Sequence, residues 1–96
     1  MTVAELCRWY WEQHGRHKKS NGVHGVVQRL ETFFGAALVT AVTPERVEEY
    51  RHRRLHHDQV SDRTVNRDIQ ELKAMFNRVI RYKRWHGAVD NPAAYI

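Results

Sequence analysis

Between Ser61 and His86, apolar residues fall at Val65, Ile69, Leu72, Phe76 and Val79, with Ile80 beside them. Steps of three and four residues trace one face of a helix, and that face must be buried. Projected at about 100° per residue, the opposite side carries Arg63, Arg67, Gln70, Ala74, Asn77, Arg78 and Arg81. That side must meet water or a polyanion. Ser61 is placed to cap the start, and Gly87 followed by Pro92 marks the stop.

Three shorter periodic runs precede this long one. Thr2 and Glu5 have the spacing of a capping box, and Val3, Leu6, Cys7 and Tyr10 form the inner stripe of a helix running to about His14, stopped by Gly15. Trp11 lies on the margin of that stripe and Trp9 projects away from it, under a neighbouring loop or onto a contact surface. The second run, Val23, Val26, Val27, Leu30, Phe33 and Phe34, ends at Gly35; Gly22 and Gly25 blur its start. Ala36 to Ala41 is a short apolar connection. Thr43-Pro44-Glu45 then opens a third helix with a hydroxyl cap, a proline at the first helical position and an acid in the first turn. Val42 and Val47 stand at the two positions of a hydrophobic staple. This helix, to about Leu55, buries Val47, Tyr50 and the stem of Arg54 and exposes Glu45, Glu48, Glu49 and Arg53. No strand-like alternation competes with the helical template, so the expected fold is all-α: a compact four-helix bundle with a long C-terminal helix.

Charge sharpens this picture because it is unevenly distributed. The net charge is +5, yet residues 16–34 hold four basic residues against one acidic, and residues 61–86 hold seven against three. The whole excess lies in the second and fourth helical segments, as expected of a polyanion-binding surface. The third helix is nearly balanced and is the element least suited to face DNA. A helix start beside Lys18 and Lys19 presents free N–H groups and a positive dipole end, which suits a phosphate as well as it suits an ordinary loop.

Other chemistry finds little support. Cys7 is the only cysteine, so no internal disulfide or cysteine pair for zinc exists, and it reads as a small core residue. The seven histidines lack ligand spacing with acids or cysteine, so no metal and no cofactor are expected. No Gly-rich phosphate loop occurs. No apolar run approaches the ~18 residues of a membrane span, and the first residues resemble a helix start rather than a signal peptide, so the chain is expected to be soluble and cytoplasmic.

The ordered set Phe34-Gly35, Val42-Thr43-Pro44 with Val47, Tyr50 and Arg54, and Thr64-Val65-Asn66-Arg67 with Leu72 and Phe76 resembles the core-binding domain of tyrosine recombinases, the phage integrase family. The resemblance covers nearly the whole chain and implies a SAM-like bundle. Asn91-Pro92-Ala93 falls where such proteins leave this domain, so residues 1–90 are expected to be the core-binding domain and 91–96 the start of a linker to a catalytic domain. The stretch 86–90 is slightly longer than the usual connection, and Val79-Ile80-Arg81 stands where a small alanine is common.

That family cuts DNA with a tyrosine, two arginines, a lysine and histidines, including a His-x-x-Arg motif. No His-x-x-Arg occurs here, and Tyr10, Tyr50, Tyr82 and Tyr95 read as packing or surface residues. The resemblance implies half of a C-shaped clamp on the double-stranded core recombination site, with the catalytic domain, and other protomers on DNA, as partners. In such domains the second and fourth helices approach the duplex. Lys18, Lys19 and Ser20 are then the expected phosphate contacts, and Arg63, Thr64, Arg67, Gln70, Asn77, Arg78 and Arg81 the residues in or along the major groove. Thr64 and Asn66 have a competing task at the helix start, which is the expected role of Asn66. The rival from another class is a protein-interaction module anchored by Trp9, Trp11, Trp85 and Tyr95.

Overall fold

A computed structural model describes residues 2–13 and 23–81. Among these residues four α-helices follow in order: α1 (Val3–Gln13), α2 (Val23–Phe34), α3 (Pro44–His56) and α4 (Asp62–Arg81), with a 3-10 turn over Val39–Ala41 between α2 and α3. There is no strand among the described residues; an isolated antiparallel bridge pairs Thr2 with Leu38. Expected features at His14, Gly15, 16–22 and 82–96 lie outside the described residues.

The helix starts follow their local chemistry. Glu5 N–H donates to Thr2 Oγ1 at 3.2 Å while Thr2 N–H donates to Glu5 Oε1 at 3.0 Å, the two arms of the capping box. The Thr2 backbone and hydroxyl together hold the Glu5 carboxyl below its ordinary range. Thr43 accepts from Arg46 N–H, Pro44 takes the first helical position, and Val42 and Val47 are both buried as a staple requires. At α4, Thr64 N–H donates to Ser61 Oγ, and the Ser61 and Thr64 hydroxyls lie 3.1 Å apart.

α4 is the central element, packed against each of the other three helices, and α1 also packs along α2. The core holds Leu6, Tyr10, Leu30, Phe34, Leu72 and Phe76, each at most 1% exposed, so that each contributes roughly 1.5–3 kcal/mol of apolar burial. Two residues not anticipated on the inner face of α4 belong to it: Met75 and Asp68, both fully buried. Phe33, expected in the core, instead lies half-buried at its edge, because Arg46 covers its outer face with the guanidinium carbon 4.2 Å from the ring centroid. Trp9 and Trp11 are half-buried against the core, and Trp11 stacks on His24.

The connection from α2 to α3 closes the bundle over α1. Gly35 N–H donates to Glu31 O, Ala4 N–H to Gly35 O, and Val3 N–H to Ala37 O. Gly35 is needed for proximity: a Cβ there would stand 2.3 Å from the Glu31 carbonyl oxygen.

Candidate nucleic-acid interface

The outer face of α4 forms because seven positions of the opposite face, from Val65 to Val79, are buried. Arg63, Arg67, Gln70, Asn77 and Arg81 are all exposed on it, spread along about 27 Å of helix at 1.5 Å per residue. Arg78 is half-buried at the border of this strip. Thr64 is half-buried as well, with its hydroxyl engaged by Ser61 at the helix start, so its side chain serves the cap. Asn66, expected to share that task, is exposed; the capping bonds are made by Ser61 and Thr64. Lys18, Lys19 and Ser20 lie outside the described residues.

What holds α4 in place is a polar junction that the apolar periodicity did not signal. Asp68 is 0% exposed and accepts from three directions: Tyr50 Oη at 2.6 Å, Arg54 Nε at 3.3 Å and Arg29 Nη2 at 3.0 Å. One carboxylate thereby ties α2 and α3 to α4, and its ion pairs meet the rule that a buried charge needs opposite charge and hydrogen bonds. Arg54 also reaches Asp58 Oδ2 at 3.1 Å, so two arginines stand against two aspartates. Burial, followed by donation to Asp68, pushes the Tyr50 hydroxyl far above the ordinary tyrosine value. A second tie between helices runs from Tyr10 Oη in α1 to Glu71 Oε2 in α4 at 2.8 Å.

Beside this junction α2 and α3 diverge to leave a groove of about 540 Å³, lined by Arg29, Arg46, Arg53 and Arg54 together with Phe33 and Tyr50. Sequence reasoning missed it, since three of its four arginines sit on the helix whose charges nearly cancel. A signal was present: an acid at position 68 inside the stripe Val65, Ile69, Leu72 requires basic partners from facing helices. In helical projection Asn77 lies about 180° from Asp68, and Gln70 about 160°, so the junction and the outer strip occupy opposite sides of α4.

No group of three or more His, Cys, Asp or Glu side chains that could hold a metal occurs among the described residues, and no described helix is long and apolar enough to cross a membrane. No curated protein and no solved structure matches the chain. The family model described as phage integrase, N-terminal domain, matches residues 1–96. With a four-helix bundle that carries a basic outer strip on its long last helix, the chain belongs to the phage integrase N-terminal domain family, and with it to the tyrosine recombinases.

Proposed function

We propose that this chain is the core-binding half of a tyrosine recombinase, gripping double-stranded DNA at the core recombination site through the outer face of α4 and the basic connector before α2. The observation that carries the proposal is the exposed row Arg63, Arg67, Gln70, Asn77 and Arg81 on a helix whose other face is locked into the core. Arginines on such a row neutralise phosphates and set the register of the protein on the duplex. Arg67 and Gln70, near the middle of the row's first half, have the donor geometry to read guanine and adenine edges in a groove about 12 Å wide. A helix stretch of about 27 Å exceeds that width, so Arg63 and Arg81 at its ends contact backbone phosphates or remain in water. Lys18, Lys19 and Ser20 add phosphate contacts from the connector, and Arg78 supports the border of the strip. Residues 1–90 form this unit and 91–96 begin the linker; the phosphoryl chemistry belongs to a catalytic domain that closes the clamp from the other side. The rival interaction-module reading is weakened by the half-burial of Trp9 and Trp11 against the core.

The test is a fluorescence-anisotropy titration of a labelled random duplex with the chain at about 50 and about 200 mM salt, where binding is expected to be micromolar or weaker and to fall steeply with salt. Replacing Arg63, Arg67 and Arg81 together by alanine is expected to weaken binding to every sequence and to flatten the log–log salt slope by about 0.9 for each phosphate that is no longer neutralised. Unchanged binding by the triple variant would remove α4 from the interface. Absence of wild-type binding at both salts would return the interaction module to first place.

A further inference from the structure

The arginine-lined groove between α2 and α3 lies on the side of α4 away from the proposed DNA strip, and nothing in that proposal uses it. Its floor is aromatic. Phe33 packs edge-on against Tyr50 with centroids 5.1 Å apart, and both rings border the groove. Its walls are basic: Arg29 keeps 39% of its side chain exposed while donating to Asp68, and Arg46 and Arg53 both reach over the Phe33 ring. Arg53 is exposed and has no carboxylate partner among the described residues.

We propose that this groove docks an acidic segment of a protein partner, one apolar side chain entering beside the half-buried Phe33 and flanking carboxylates bridging to Arg53, Arg46 and Arg29. The charge balance favours such an occupant over a second duplex. Asp68, Asp58 and Glu49 already offset Arg29, Arg54 and Arg46, leaving a surplus of one positive charge at Arg53. That surplus matches a short segment that brings one carboxylate to Arg53, its other carboxylates sharing Arg46 and Arg29 with Glu49 and Asp68. A duplex carries one charge per about 1.7 Å, far more than one unpaired arginine offsets. Shape argues the same way, because a recess of about 540 Å³ between two helices accepts a protruding side chain, whereas a duplex meets convex faces. Guanidinium groups held over an aromatic ring are preorganised, so little side-chain freedom is lost when a carboxylate arrives.

The test is an anisotropy titration of a labelled Glu-Glu-Phe-Glu-Glu peptide with the chain, run beside the same peptide with glutamine at the four flanking positions. The R46Q/R53Q double variant, whose two sites are exposed, is carried in parallel against both peptide and duplex, with its helical circular-dichroism spectrum compared with wild type. The expected result is binding of the acidic peptide, a loss of about tenfold or more with the glutamine peptide or the double variant, and a change of less than about twofold in duplex affinity. Three results would overturn the proposal: no binding of the acidic peptide, equal binding of the glutamine peptide, or a loss of duplex affinity in the double variant as large as its loss of peptide affinity. The last would make the groove part of the DNA face while leaving the role of α4 to its own test.

Discussion

Asp68 is the residue on which the arrangement of three helices turns. Replacing it by alanine leaves the Tyr50 hydroxyl and the inner N–H groups of Arg54 and Arg29 without their acceptor, and Arg54 is only 13% exposed. Breaking a buried charge junction from one side costs about 3–5 kcal/mol, and urea unfolding of Asp68→Ala is expected to show a loss in that range. Asp68→Asn keeps volume and one acceptor oxygen and is expected to lose less. A loss below about 1 kcal/mol for alanine would mean that water replaces the carboxylate. Gln59 is the opposite case. It holds φ at 54° in the turn after α3, a conformation that costs a side-chain-bearing residue about 1–2 kcal/mol, against roughly 0.5–1 kcal/mol of extra chain entropy lost by glycine. Gln59→Gly is therefore expected to stabilise by up to about 1 kcal/mol, and thermal unfolding would register it as a rise in midpoint. Apolar periodicity alone revealed neither residue. Periodicity sorts positions into inside and outside, and it passes over an acid buried among the apolar positions and a left-handed turn made without glycine.

At the scale of elements, the chain was largely legible. Caps at Thr2, Thr43 and Ser61, the proline start of α3 and the staple of Val42 on Val47 are local, so the few residues that make them also reveal them. Partner choice between helices was not legible, because Tyr50 and Asp68, or Tyr10 and Glu71, meet only through the tertiary fold. The exposed strip of α4 followed directly from its buried stripe, whereas the groove between α2 and α3 depends on how two helices diverge. Gly35 shows a local signal with a local cause. As a helix stop it does follow Phe34, but the requirement comes from the Glu31 carbonyl 2.3 Å from where a Cβ would be, with Ala4 of α1 packed alongside. Gly35→Ala must shift the last turn of α2 off the Glu31 carbonyl, since Ala4 stands at ordinary contact distance, and a loss of about 1–3 kcal/mol is expected, as for overpacking at a tight contact. Hydrogen exchange at Ala4 and Val3, whose amides donate to Gly35 and Ala37, should speed up in this variant more than exchange in α3. Equal acceleration everywhere would place the strain elsewhere.

For the molecule as a whole, two buried acids of high pKa set how stability responds to base. Burial, and then the nearby Glu31 carboxylate, push the Cys7 thiol in α1 from an ordinary value of 9.0 up to about 12. Burial and the bond to Asp68 raise the Tyr50 hydroxyl in α3 above its ordinary 10.0. Each group is neutral when protonated, and the folded state holds that proton more tightly than the unfolded chain does. Both contributions are therefore complete below the unfolded pKa and decline as pH rises above it. Stability is expected to be level to about pH 8, to fall with a slope approaching 1.4 kcal/mol per pH unit once the unfolded thiol ionises near pH 9, and to steepen above about pH 10 as Tyr50 joins. Urea unfolding under reducing conditions from about pH 7 to about pH 11 measures this directly. Cys7→Ala should remove the first descent and keep the second, and Tyr50→Phe should do the reverse while lowering stability at neutral pH through loss of its bond to Asp68. Because α1 and α3 meet mainly through α4, a two-step decline carried separately by these variants would show that both helices unfold in the same cooperative event. If Cys7→Ala keeps the full slope between pH 9 and 10, the thiol reaches water before the bundle opens and α1 leaves the core first.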